Sequence, residues 1–244
     1  MKPKIALYQH HPQASRQCCD GMIQALAPRF DVEIFSEHTL SAELLSRVDM
    51  VAFPGGIGDS DSYWQFFGRK RGNLIADFVE RGGKYLGICM GAYWADSWYF
   101  DLLDQVRAVQ YIKRPKTDIR RSYGTVAPVR WHGQSTMMYF YDGCTFVGNG
   151  HFDTVATYAN GDPMAIIQGN LGLIGCHPES QEFWYTREHP YLRDHWHRGA
   201  HHTLLLNFAL RLMRDPVIIP YVATGPVCVE SPQQVSAHSL VHLP

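Results

Sequence analysis

Four short apolar runs, at residues 5–8, 32–35, 50–53 and 84–88, constrain this chain more than any other feature, because amphipathic stretches of helical period separate them. A run of four or five apolar residues is too short for a buried helix and reads as a strand covered on both faces. The spacing predicts helices over residues 18–26, with Met22, Ile23 and Leu26 on one face, and over residues 73–81, with Leu74, Ile75, Phe78 and Val79 inward. Pro28 and the pair Gly82-Gly83 stand where those helices have to stop. Ser41 is placed to cap a short helix carrying Leu44, Leu45 and Val48, and a further helix is expected over residues 90–98. Alternating strands and helices predict an α/β chain with a mostly parallel central sheet flanked by helices. In such sheets the carboxyl ends of the strands lie on one edge, where sites are built.

The second half of the chain has a different pattern. Short strands are expected at residues 125–131, 137–141, 154–158, 164–168 and 171–176, separated by glycine-bearing turns, so antiparallel additions to the sheet are predicted. A last helix is expected at residues 203–212. Residues 57–71 show no clear period and read as a long loop or distorted helix, in which Tyr63, Trp64, Phe66 and Phe67 serve packing. We expect one domain over residues 1–214 and a partly irregular extension over residues 215–244.

Composition narrows the function. At 244 residues the chain can bury its own core, and a formal net charge of −1 gives no global field for nucleic acid or an anionic membrane. The six cysteines have no CxxC spacing, so neither a zinc framework nor a disulfide scaffold is expected, and a reducing, cytoplasmic setting follows. The 13 histidines include a cluster at His195, His197, His201 and His202, but no thiol or carboxylate completes a metal pattern there, and a surface or capping role is expected. No metal and no cofactor is expected. His10-His11 read as a solvated loop beside the functional edge. Cys18-Cys19 read as small apolar helix residues, and Cys176 as pointing into the core.

Chemistry concentrates in three strings. Gly87-Ile88-Cys89-Met90-Gly91 places a cysteine between flanking glycines at a strand-to-helix junction, the pattern of a nucleophile elbow. A thiol at the first turn of a helix is expected to ionise more readily. Gly175-Cys176-His177-Pro178-Glu179-Ser180 supplies an imidazole base, His177, and a carboxylate, Glu179, two residues on to orient it. Pro54-Gly55-Gly56 ends a strand with free backbone N–H groups, so the N–H groups of Gly56 and Met90 are the expected oxyanion donors. Gly55 and Tyr93 are the expected substrate-binding positions.

Together these strings resemble the class I glutamine amidotransferase-like superfamily over roughly residues 3–213, and within it the biotin–protein ligase N-terminal-like family. The matching pieces run from Phe53-Pro54-Gly55-Gly56 through the stretch 78–93 to Tyr141-Asp142-Gly143-Cys144, Val155-Ala156-Thr157-Tyr158 and Gly175 to Glu179. The resemblance implies a flavodoxin-like fold with Cys89 as nucleophile, His177 as base and Glu179 as orienting acid. Tyr93 stands where such enzymes usually carry glutamine, so glutamine itself is not implied as substrate. Nothing in the chain resembles the ligase catalytic domain, and biotin ligation is not expected. The function expected is a thiol-dependent hydrolase or amidotransferase-like enzyme acting on a small-molecule amide or acyl substrate. The alternatives are a non-catalytic binding or regulatory module, or a glutaminase subunit that needs a separate partner synthetase.

Overall fold

A computed structural model describes residues 1–9, 13–56 and 62–214. His10, His11 and the extension over 215–244 lie outside the described residues, as does Cys228. The N-terminal half alternates as expected: β1 (Lys4–Tyr8), α1 (Gln13–Leu26), β2 (Asp31–Phe35), α2 (Ala42–Ser46), β3 (Met50–Phe53), α3 (Tyr63–Phe66), α4 (Gly68–Glu80), β4 (Lys84–Ile88) and α5 (Met90–Tyr93). The second half adds β5 (Val106–Gln110), β6 (Thr125–Trp131), β7 (Gln134–Phe140), β8 (Cys144–Gly148), β9 (Asp153–Tyr158), β10 (Pro163–Gln168), β11 (Leu171–Ile174) and α6 (Ala200–Leu212).

Nine strands form one sheet in the order β2-β1-β3-β4-β11-β10-β9-β6-β7, and β5 pairs with β8 apart from it. The five strands β2, β1, β3, β4 and β11 are mutually parallel, while β10, β9, β6 and β7 continue the sheet antiparallel. Alternation along each strand divides the core. Ile5, Leu7, Met50, Ala52, Leu86 and Ile88 face α1 and α6, whereas Ala6, Tyr8, Val51, Phe53 and Tyr85 face the other layer. At the centre of that second layer, Phe53 meets Tyr8, Phe67, Tyr85, Trp94 and Phe100 at ring-centroid distances of 5.0–6.1 Å.

Several expectations need correction. Over residues 63–80 the distorted-helix alternative holds, α3 and α4 following one another with a break at Phe67, because Tyr63 and Phe67 are buried in this aromatic layer; Trp64 alone of the four aromatics is well exposed. The elbow helix is a single turn, not the longer helix expected over 90–98, since Phe100 N–H and Leu102 N–H bond back to the carbonyls of Trp94 and Ala95. The pair β5–β8 had no alternating signal strong enough to be read from the sequence. Ser41 does cap α2, its hydroxyl accepting from Leu44 N–H at 3.1 Å. Among the described residues no helix is long and apolar enough to cross a membrane.

Candidate active site

β3, β4 and β11 are adjacent and parallel, so the three sequence strings, which follow those strands, leave the sheet at the same edge. Cys89 follows β4 in a backbone conformation of φ 49°, ψ −103°, which costs a non-glycine residue ~1–3 kcal/mol. The surroundings hold it there. Its N–H donates to Ile174 O at 2.8 Å, and Tyr85 Oη donates to Gly91 O at 2.7 Å. A Cβ on Gly91 would lie 2.1 Å from Phe53 O, so only glycine lets the elbow pass so close to β3.

His177 follows β11, with its backbone N–H donating to Tyr139 O at 2.9 Å. Its Nδ1 bonds Glu179 Oε1 at 2.8 Å, and both side chains are almost completely buried. That bond leaves Nε2 as the free ring nitrogen. Nε2 has no hydrogen-bond partner in this conformation, although the thiols of Cys89 and Cys18 are near enough to act on the ring. Burial by itself disfavours a charged imidazole here. The Glu179 carboxylate and the nearby Cys89 outweigh that effect and hold the His177 pKa well above its usual value.

Gly55 relates nucleophile to base. A Cβ placed on it would lie 2.5 Å from His177 Cε1 and 3.1 Å from Cys89 Cβ, so the two side chains flank one glycine. Gly56, next along, has φ 91°. Met90 is the first residue of α5, where a backbone N–H has no partner within its helix. A single turn carries little macrodipole, so α5 offers the residue at its start little electrostatic support. Cys89 Sγ lies 3.4 Å from Tyr141 O and is 7% exposed. Tyr93 is half-buried, its hydroxyl donating to Asp142 O at 3.1 Å.

Sequence reasoning missed two contributors. Cys18 and Gly21, one turn apart on α1, face the His177–Glu179 segment: a Cβ on Gly21 would lie 2.1 Å from Glu179 O, and Cys18 Sγ is within 4.8 Å of the His177 and Glu179 donor atoms. The glycine inside a helical pattern was the available signal. The histidine cluster also differs from expectation. His195 is exposed, but His197, His201 and His202 are buried. His197 Nδ1 accepts from the N–H groups of Gly199 and His201 at the start of α6, which is the capping half of the expectation. Its Nε2 and that of His202 both reach Ser180 O, at 3.1 and 3.0 Å, so two imidazoles hold the residue after Glu179. Cys176 is buried as expected.

The fold and the placement of these strings define a class: α/β proteins built like the class I glutamine amidotransferases. A glutamine amidotransferase from Thermotoga maritima superposes with a TM-score of 0.64 over 87% of this chain and 98% of its own, at 13% identity. A chain of PurLQS from Thermotoga maritima gives 0.53 over 73% of this chain and 89% of its own, at 16% identity. At such identities the likeness is one of fold. Within that class, residues 9–110 match the family described as biotin-protein ligase, N terminal. The biotin–protein ligase of Schizosaccharomyces pombe is 27% identical over 205 residues, covering 68% of this chain and 32% of the ligase, so this chain spans about a third of that relative's length. The resemblance read from the residues is found again in these matches.

Proposed function

We propose that the chain is a cysteine-dependent amidase or acyl-transfer enzyme in which Cys89, His177 and Glu179 act as a unit. The observation that carries this reading is the flanking of Gly55 by Cys89 and His177, with Nδ1 of that imidazole held by Glu179 and Nε2 left free. In the proposed reaction the Cys89 thiolate attacks the carbonyl carbon of a small-molecule amide, forming the S–C bond. The N–H groups of Gly56 and Met90 receive the developing oxyanion. His177, as imidazolium, gives its proton to the departing amine as the C–N bond breaks, leaving a thioester. The neutral ring then takes a proton from water, hydroxide adds to the thioester, and the acid leaves as Cys89 regains its thiolate and His177 its proton. Glu179 fixes the tautomer and the charge throughout. Gly55 and Tyr93 border the substrate.

Iodoacetamide labelling at pH 6, with mapping of the adduct, tests the central claim. Cys89 is expected to react first, because burial pushes the Cys18 and Cys176 thiols up to about 12. Labelling of Cys18 or Cys228 as fast as Cys89 overturns the reading. A panel of small amides turned over by the wild type and not by Cys89→Ala then identifies the substrate.

A second reading has its own support: the relative's name belongs to a ligase of which the match covers 32%, so this region there is one part of a larger protein. In that reading the chain is a binding or regulatory module, or a glutaminase subunit, working on a partner enzyme. Unchanged cellular phenotype in Cys89→Ala with partner binding retained favours the module. Co-purification of a synthetase favours the subunit.

A further inference from the structure

We propose that Asp142 selects ligands carrying a positive charge, an amine or a guanidinium, at the edge where Cys89 lies. Charge selection belongs to the fold; that the selected ligand is a cationic amide rests on the proposed function.

The turn after β7 is clamped between the nucleophile and the base. Tyr141 O lies 3.4 Å from Cys89 Sγ, and Asp142 O accepts from Tyr93 Oη at 3.1 Å. Gly143 O accepts from Tyr111 N–H at 3.0 Å. A Cβ on Gly143 would overlap Gly175 O, two residues before His177, so only glycine lets the turn press against that string. Asp142 itself is held at φ 47°, in the left-handed region. Its side chain is fixed as well: Gln110 Nε2 donates to both carboxylate oxygens, at 3.1 and 3.0 Å. A carboxylate positioned this firmly beside a reactive edge is suited to recognition.

What the carboxylate lacks is a cation. Asp96 and Asp162, neither of them exposed, each hold an arginine at 2.8 Å. Among the described residues no lysine, arginine or histidine pairs with Asp142, and the group that holds it is a neutral amide. A half-buried carboxylate in that state gains from a cation that a ligand brings. The half-exposed Tyr141 adds an accessible aromatic ring at the same turn, a second group that favours a cation. Charge at residue 142 also reaches the site. The Tyr93 hydroxyl, pushed far up by burial first, is raised further by Cys144, Cys89 and Asp142.

Methanethiosulfonates test the selection directly, because each transfers its thioalkyl group to the Cys89 sulfur as a disulfide and releases methanesulfinate. The trimethylammonioethyl and sulfonatoethyl reagents carry opposite charges. Their rates at Cys89 in the full chain, followed by peptide mass mapping, are taken as a cation-over-anion ratio and divided by the same ratio for mercaptoethanol. The quotient cancels the reactivity of the sulfur and of the reagents. At low ionic strength it is expected to exceed ~5 in the wild type and to fall at least ~3-fold in Asp142→Asn and Asp142→Gly. Asparagine and glycine both accept a positive φ, and circular dichroism reports that the variants are folded. Asp153→Asn, which removes a carboxylate paired with Arg211 on the exposed face of β9, is expected to leave the quotient in place. Among substrates, kcat/KM is expected to favour ω-amino amides over alkanamides of equal length, and Asp142→Asn to remove the preference.

A wild-type quotient near one, a preference for the anionic reagent, a quotient that both Asp142 variants leave in place, or a Cys89 that neither reagent modifies overturns the proposal. Turnover of alkanamides with no preference for any ω-amino amide keeps the enzyme and removes the cationic substrate. A quotient that moves as expected in a protein that turns over no amide, and whose Cys89 is no more reactive than Cys18, leaves the charge selection standing and removes the enzymatic reading.

Discussion

The parallel and antiparallel halves of the large sheet contribute to the same edge in different ways. Side chains come from the parallel half: Cys89 after β4, His177 and Glu179 after β11, Gly55 after β3, Cys18 from the helix after β1. Backbone carbonyls come from the end of β7, the turn after it and the first residue of β8. Tyr139 O accepts from His177 N–H, Tyr141 O lies beside Cys89 Sγ, Asp142 O accepts from Tyr93 Oη, and Cys144 O accepts from Tyr158 Oη at 2.8 Å. A parallel strand needs a crossover, and its turn is free to carry a functional side chain; an antiparallel return brings unpaired carbonyls close in sequence. The difference teaches that the candidate reactive side chains and the carbonyls that frame them come from separate regions, and it can be challenged.

Cys89→Ala is the largest expected effect, removing turnover by ~10⁴-fold or more while leaving the fold intact. Glu179→Gln comes next. It keeps a hydrogen bond to His177 Nδ1 and loses the charge, so the His177 titration, followed by NMR of its ring protons, should move down, with turnover reduced ~10²–10³-fold. The sign for stability follows. Because the folded His177 pKa is raised, the pair's stabilisation is complete below about pH 6.5 and disappears as pH climbs through the folded value. Glu179→Gln should therefore narrow its stability deficit at high pH. Gly55→Ala inserts a methyl 2.5 Å from His177 Cε1, and displacing that ring should cost ~10²-fold in rate. If these three variants act no more strongly than changes in the antiparallel half, the division of labour is wrong.

How far the sequence discloses this division differs by residue. Cys89 was legible because an elbow needs glycines at fixed offsets, and Gly87 and Gly91 are where backbone atoms nearly touch. His177 and Glu179 were legible because a base and its orienter fit within one string after a strand. Cys18 was not, since its partners are far along the chain and a pair of cysteines in an amphipathic helix carries the same pattern whether it faces a core or a carboxylate. The carbonyl acceptors of residues 139–144 were illegible for a deeper reason: every residue has a carbonyl, and only the return of β7 decides which ones point at the edge. Residues 57–71 read only as a long loop or a distorted helix because the aromatic layer, not a local period, makes residues 63–66 helical.

The histidine cluster sharpens the comparison from the parallel side, where α6 covers the sheet. Burial lowers His201 to about 3, while in the unfolded chain it titrates near its usual value of 6.5. A depressed folded pKa means the stabilisation is present above about pH 6.5 and is lost as pH falls toward the folded value, with a slope of up to about 1.4 kcal/mol per pH unit. His201→Gln removes the titration and can keep the bond to Thr136 Oγ1, which is 2.8 Å in the wild type. Urea unfolding at pH 7 and pH 5 should show a smaller acid loss in the variant; an equal loss assigns the slope elsewhere.

Tyr93→Phe gives the smallest effect and the most direct test of the framing role. Tyr93 Oη bonds the elbow turn α5 to Asp142 O, and its half-buried ring packs against the aromatic layer whether or not it carries the hydroxyl. Removing the hydroxyl leaves Asp142 O short of a donor, a loss of ~0.5–1.5 kcal/mol of unfolding free energy. Cys89 keeps its own neighbour, Tyr141 O, and its backbone bond to Ile174 O, so its strained conformation has no reason to relax. Alkylation of Cys89 should therefore stay within about threefold of wild type while urea unfolding shifts by the amount of one hydrogen bond. A far larger change in alkylation would mean that the antiparallel half tunes the sulfur through Tyr93, and that the carbonyl segment is part of the chemistry and not only its frame.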